Sequence, residues 1–176
     1  MSALHSRHNL SGKERKRLLT EVERLYPDLV DEVRSAEALE VVKTRMGFEL
    51  YLTDGNALFF RLKSDERLYP TLIALLLHKG EVIPSVTVDE GAIPHIKRGA
   101  DVMRPGIVKV EGKFGEGDVV AVKECKYGKP IALGTALASS EDLAKMKRGR
   151  VIKNLHHLED DIWDVALKVS RLFRSE

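Results

Sequence analysis

At 176 residues the chain is long enough for one large domain or two small ones, and 43% hydrophobic with 32% charged residues describes a globular chain with a core. No apolar run approaches the roughly 20 residues a bilayer span needs, and the opening residues hold no apolar stretch of signal-peptide kind, so no membrane partner and a cytoplasmic location are expected. A formal net charge of +2 excludes a global field for nucleic acid, so an RNA site must be a local patch, and the single Cys125 excludes an internal disulfide or a cysteine-based metal cage.

In chain order, Ser11-Gly12-Lys13-Glu14 has the spacing of a capping box, in which Ser11 and Glu14 satisfy each other's backbone N–H groups. The run behind it puts Leu18, Leu19, Val22, Leu25 and Tyr26 at helical spacing, which predicts a helix with one apolar face that Pro27 ends or bends. Residues 28–39 read as a second, shorter helix carrying Leu29, Val30, Val33 and Leu39. Residues 40–43 and 48–52 are rich in β-branched and aromatic residues, Asp54-Gly55-Asn56 supplies a turn, and residues 57–62 pair back as a hairpin. Pro70 suits the first turn of a helix over residues 71–79, for which Gly80 is a natural stop. Because Leu72-Ile73-Ala74-Leu75-Leu76-Leu77 is apolar nearly all round, that helix is expected to be the central packing element of the N-terminal half. Phe59, Phe60 and Tyr69 beside it read as core in preference to an exposed stacking platform for bases.

From about residue 81 the texture changes. Glycines and β-branched residues arrive every few positions, and short strands read at residues 101–104, 107–111, 118–123, 131–138 and 151–155. Many short strands with regular turn signals predict a small barrel or sandwich. A short helix is inserted at about residues 91–98, where Pro94 is tolerated only in the first turn, and Ser140-Glu141-Asp142-Leu143 starts another helical turn. Cys125 follows Val119-Val120-Ala121-Val122 and reads as a half-buried thiol near a strand end. The chain closes with an amphipathic helix over residues 159–173, burying Ile162, Trp163, Ala166, Val169 and Phe173, with an acidic start and basic end that suit the helix dipole. No flexible linker marks the change near residue 80, so the two halves are expected to dock.

The stretch from Gly91 to Gly106 carries the functional argument. Gly91-Ala92 and Gly99-Ala100 bracket the short helix and let the backbone come close to something at each end. Lys97 and Arg98 sit at the helix C-terminus, where cations are favoured, and Arg104-Pro105-Gly106 is a strand-end turn that exposes backbone groups beside a cation. Read from these residues alone, a tight helix–strand junction needing glycine for packing accounts for the pattern more readily than a binding site. Lys145, Lys147, Arg148, Arg150 and Lys153 likewise suit a solvated turn as well as a cationic edge.

The same stretch closely resembles the signature of the PUA domain, the RNA-binding module of pseudouridine synthases and archaeosine transglycosylases. Gly112-Lys113-Phe114-Gly115-Glu116-Gly117-Asp118, Ile131-Ala132-Leu133-Gly134, Ser139-Ser140-Glu141-Asp142 and Arg148-Gly149-Arg150 match its later blocks in order. Outside these, Leu58-Phe59-Phe60-Arg61, Tyr69-Pro70-Thr71-Leu72 and Asn154-Leu155-His156-His157-Leu158 with Trp163 resemble the malignant-T-cell-amplified-sequence family, in its archaeal branch, so the resemblance covers nearly the whole chain. It implies an α+β fold, with an N-terminal α/β pre-PUA domain (residues 1–80) packed on a C-terminal PUA β-pseudobarrel with short helices (81–158) and a C-terminal helix (159–176). It also implies a non-catalytic protein that binds structured RNA, tRNA or small-subunit rRNA, in translation initiation, reinitiation or recycling. A density-regulated-protein-like translation partner is implied, and no cofactor. The chain departs from the family in its longer C-terminal helix and lacks a separate partner domain.

Carried onto this sequence, the resemblance puts the RNA surface at Gly91, Ala92, Lys97, Arg98, Gly99, Ala100, Arg104, Pro105, Gly106, Lys147, Arg148 and Arg150. Backbone amides and glycines would admit the sugar–phosphate chain there while the cations neutralise phosphates. Other signals carry less. His156-His157 followed by Glu159, Asp160 and Asp161 could pass for metal ligands, but adjacent histidines on a strand point to opposite faces, and the aspartates suit a helix start, so no metal site is expected. His78 and His95 read as surface or packing residues. Lys13, Arg15, Lys16 and Arg17 form a second basic patch, as readily a solvated helix face. No Ser-His-Asp order, Walker loop or paired catalytic carboxylate stands out, and the glycines from Gly112 to Gly117 lie between strands. Two rivals stay open: an accessory subunit presenting tRNA to a modification enzyme, and a protein-interaction scaffold without RNA binding.

Overall fold

The computed structural model describes residues 4–78 and 81–173, whose contacts divide them into two units: the chain up to Val82 together with the residues from Asp161 on, and Ile83–Asp160. In the first unit, β1 (Leu4–Asn9) runs into α1 (Gly12–Leu25). The capping box forms. Ser11 Oγ accepts the Glu14 N–H at 3.2 Å, and the Glu14 carboxylate accepts the Ser11 N–H at 2.7 Å, which lowers the Glu14 pKa from its ordinary value. α1 buries Leu18 and Val22, and Tyr26 is buried at its C-cap, after which Pro27 opens a 3-10 turn.

The second helix is shorter than its apolar spacing suggests. α2 spans Val30–Arg34, and Leu39 instead opens β2 (Leu39–Thr44), where its backbone pairs with Thr53. β3 (Phe48–Thr53) and β4 (Asn56–Leu62) form the expected hairpin, and β5 (Leu68–Pro70) completes an antiparallel sheet in the order β1-β2-β3-β4-β5. Pro70 therefore ends a strand and does not start a helix. Thr71 is the N-cap of α3 (Leu72–Leu77), its Oγ1 accepting the Ala74 N–H at 3.1 Å and donating to Ala57 O at 2.7 Å. The expected helix end at Lys79 and stop at Gly80 lie outside the described residues. α3 is not the centre of this unit: Leu72, Ile73 and Ala74 are buried, but Leu76 and Leu77 are 40% and 45% exposed. The centre is aromatic. Phe59, Phe60 and Tyr69 are buried, with the Phe60 and Tyr69 rings stacked at 5.1 Å and the buried Tyr26 hydroxyl donating to Leu68 O at 2.6 Å.

The second unit runs β6 (Ser85–Val88), α4 (Ile93–Ile96), β7 (Val102–Met103), β8 (Ile107–Glu111), β9 (Val119–Glu124), β10 (Pro130–Ala136), α5 (Ser140–Lys145) and β11 (Arg150–His157). Its six-stranded sheet has the order β7-β11-β10-β9-β6-β8, with β6 and β9 parallel and the other pairs antiparallel. Val86, Val88, Ile96, Val122, Ile131 and Ile152 belong to one continuous apolar interior. Cys125 lies just past the end of β9 and is exposed, because Glu124 closes the strand and begins a turn.

The last helix, α6 (Asp161–Val169), belongs to the first unit. It buries Ile162, Val165, Ala166 and Val169, and behind it Ser170 Oγ accepts the Ala57 N–H at 2.9 Å while the Arg171 N–H donates to Gly55 O at 2.8 Å. Trp163 is half-buried, and Phe173 is 48% exposed because the helix ends at Val169 and Phe173 lies in the 3-10 turn beyond it. Two antiparallel-rich sheets with short helices between their strands make the protein α+β.

Candidate nucleic-acid interface

α4 is one turn long, so its position depends on contacts at its two ends. At the start, Asp89 Oδ1 accepts the Ala92 N–H at 3.0 Å and the Asp89 N–H donates to Gly106 O at 2.9 Å. At the end, Gly99 adopts a left-handed conformation (φ 95°) that lets its N–H donate to Ile96 O and the Ala100 N–H to His95 O, both at 3.0 Å. β11 then holds this end. The Asn154 side-chain amide donates to Ile96 O and Ala100 O, each at 3.0 Å, and the Asn154 N–H donates to Asp101 Oδ1 at 2.9 Å. The other Asp101 oxygen pairs with Arg150 at 3.2 Å.

Between α4 and the chain that follows it lies a groove of about 510 Å³. Ala92, Ile96, Ala100, Met103, Pro105 and Gly106 make its apolar lining, and Asp89, His95, Asp101 and Arg150 are its polar members. A concave apolar surface with a few fixed acceptors and one cation suits a flat ring joined to a charged chain.

The structure brings Ala92, Ala100, Pro105, Gly106 and Arg150 of the sequence-derived surface together around this groove. Gly91 is exposed at the start of α4, while Lys97, Arg98 and Gly99 stand at its far end. Lys147 and Arg148 are exposed in the turn that leads into β11. Arg104 reaches the same turn through its backbone, its N–H donating to Gly149 O at 2.8 Å. Its guanidinium is largely committed to the protein, with Nε donating to Leu143 O at 2.8 Å and Nη1 to Ile107 O at 3.3 Å, which leaves Nη2 open. By contrast, Lys97, Arg98, Lys147 and Arg148 have no carboxylate partner among the described residues. Arg104→Ala is therefore expected to lower unfolding stability by about 2 kcal/mol by removing the guanidinium's hydrogen bonds to Leu143 O and Ile107 O, of which Leu143 O keeps only the Met146 N–H at 3.2 Å. Arg104→Lys should recover less than half, since one ammonium cannot serve both directions. Urea unfolding of the two variants checks this, and a lysine variant as stable as the parent would refute it.

Asp89, Asp101 and Asn154 join the site without a sequence pattern that marks them. Asp89 precedes Gly91 by two positions and Asp101 directly follows Ala100, so both adjoin the glycine-alanine pairs, yet nothing local says that their carboxylates fix the helix. Asp160 holds the buried His156, with Asp160 Oδ2 at 2.9 Å from Nδ1, and also accepts the His157 N–H at 2.9 Å. Among the described residues no cluster of His, Cys, Asp or Glu has the arrangement of a metal site.

Comparison with known proteins gives two family matches: a PUA domain over residues 84–158 and a domain of unknown function, DUF1947, over residues 6–78. Translation machinery-associated protein 20 of Saccharomyces cerevisiae is 30% identical over 94% of this chain and 95% of its own length. Malignant T-cell-amplified sequence 1 of Danio rerio is 33% identical over 72% of this chain and 71% of its own. Among solved structures, a PUA domain crystal structure from Aeropyrum pernix K1 superposes with a TM-score of 0.79 at 34% identity, covering 92% of this chain and 90% of that one. The resemblance drawn from the motifs thus extends over both units of the chain.

Proposed function

The chain belongs to the family of PUA-domain proteins that includes translation machinery-associated protein 20 and the malignant T-cell-amplified sequence proteins, and from that premise we propose that it is a non-catalytic RNA-binding protein acting in translation. The observation that carries the reading is the company the groove keeps. An apolar, ring-sized concavity with fixed acceptors is flanked by Lys97, Arg98, Lys147 and Arg148, none of which pairs with a carboxylate among the described residues. Cations left without protein partners beside a groove of that lining are suited to phosphates of a strand whose bases enter it. Gly91, Gly99, Ala100, Pro105 and Gly106 leave backbone accessible to that strand, Arg104 Nη2 adds a donor, and Arg150 serves both Asp101 and the groove.

The ligand in this reading is structured RNA with an unpaired segment, tRNA or small-subunit rRNA, and the first unit contacts the ribosome or a protein partner of the translation machinery. The test is binding of the purified protein to total tRNA and to isolated small ribosomal subunits across a salt titration. Binding should weaken with salt, and Lys97→Ala with Arg98→Ala should flatten the log–log slope by about 1.5, at roughly 0.7 to 0.9 per lost phosphate contact. Co-sedimentation with small subunits supports the translational role. Binding to tRNA alone, with loss of a modified nucleoside when the protein is deleted, would favour an accessory of a modification enzyme. No binding to either at low salt would overturn the RNA reading and leave a protein scaffold.

A further inference from the structure

We propose that the turn joining β9 to β10 is a second RNA contact, in which Tyr127 stacks on an unpaired base while Lys126 and Lys129 meet the flanking phosphates. It rests on the RNA-binding reading of the groove and extends the footprint beyond it. Tyr127 is 72% exposed, an unusual setting for a large ring that the fold itself does not use. The turn that presents it is rigid. Both oxygens of Glu124 are consumed by the backbone, accepting the Lys126 N–H at 2.7 Å, the Tyr127 N–H at 2.9 Å and the Lys129 N–H at 2.9 Å. The Gly128 N–H adds a bond to Glu124 O at 3.1 Å, and the Glu124 N–H donates to Lys129 O at 3.0 Å.

The ring is thus held out on a fixed backbone, so little freedom remains to be lost when a base lies on it. Lys126 Nζ lies over one face of the ring, 5.2 Å from its centre, and sets a cation beside a base stacked on the other. Lys129 is exposed and, like Lys126, forms no ion pair among the described residues. An exposed aromatic between two lysines that form no ion pair among the described residues is the chemistry of sequence-tolerant single-strand binding.

The position of the turn connects it to the groove. Glu124 of β9 lies beside Val88 of β6, and Val88 also pairs with Ile107 of β8. Asp89 and Gly106, the next residues out from Val88 and Ile107, line the groove. The Tyr127 turn therefore leaves the sheet at the end where the groove begins, so one strand seated in the groove has a continuation toward it.

The experiment measures binding of the full-length protein and its variants to a labelled single-stranded RNA of roughly 12 nucleotides and to total tRNA, with thermal unfolding as a control for folding. Tyr127→Ala is expected to weaken single-strand binding by about five- to a hundredfold, with Tyr127→Phe within about twofold of the parent. Lys126→Ala with Lys129→Ala should lower the salt slope by about 1.4. Wild-type affinity in Tyr127→Ala, alongside weakened binding by the Lys97→Ala, Arg98→Ala variant, would overturn the second contact and leave the groove reading standing, with a protein surface as the use of the turn. Equal losses in the alanine and phenylalanine variants would overturn stacking. Absence of RNA binding by the parent would overturn both readings together.

Discussion

Gly134→Ala is expected to lower stability by about 3–5 kcal/mol, toward the upper end for a single methyl group. The register of β10 against β11 shifts between Leu133 and Gly134. A Cβ built on Gly134 would lie 1.8 Å from Lys153 O, 2.8 Å from Lys153 C and 2.9 Å from Ile152 Cγ2. Two of these three neighbours are backbone, so no side-chain rotation relieves the overlap. The strands must separate, and the interior behind them, including the fully buried Val151 and Ile152, must loosen. For a chain of this size the loss corresponds to a fall in Tm of about 10 °C. Gly12→Ala is the control, since a Cβ there meets nothing within 4 Å. A Gly134→Ala variant that melts within about 2 °C of the parent would mean that the two strands do not come as close as described.

Asn154→Asp should cost about 3 kcal/mol near neutral pH, although it changes one atom of the side chain. Its amide nitrogen now donates to two carbonyls, Ile96 O and Ala100 O, and its Oδ1 is buried without a partner. A carboxylate in that place sets negative oxygen against both carbonyls and beside the Asp101 carboxylate that the Asn154 N–H contacts. The charged form is disfavoured in the folded state, so the new carboxyl's folded pKa lies above its unfolded value near 3.9. The penalty is then full above the folded pKa and relieved as pH falls through it, since the protonated acid can donate to one of the carbonyls. Urea unfolding at pH 7 and pH 5 should find the gap between variant and parent narrowing at the lower pH. RNA affinity should fall with stability, because the same amide fixes the end of α4. A gap independent of pH would show that the side chain escapes to water.

The parts of this fold that are legible in the sequence are those whose determinants lie within a few residues of one another. The Ser11–Glu14 cap and the hairpin turn at Asp54-Gly55-Asn56 need only local geometry. β1 escapes notice because an exposed edge strand buries almost nothing and so shows no alternation; its pairing with β2 is what makes it a strand. β6 is four residues long and is defined by partners far along the chain. The apolar run at Leu72 to Leu77 cannot say which of its sides neighbours will cover, and Leu76 and Leu77 are left exposed. The candidate site divides in the same way. Its glycines and cations stand in one stretch and one turn, where a motif can gather them. The Asp101–Asn154 clamp and the commitment of Arg104 to Leu143 O depend on β11 and α5 arriving beside α4, which no local pattern records.

The return of α6 to the first unit makes the groove-bearing unit an insertion, and this gives synthesis an order. As the chain leaves the ribosome, Ile83–Asp160 is complete as a set of contacts before Ser170 exists to accept the Ala57 N–H. The inner unit can therefore finish first, while the five-stranded sheet that began earlier waits for its last helix. Because α6 is the last helix of the chain order and belongs to the first unit, that unit is the one whose contacts synthesis completes last.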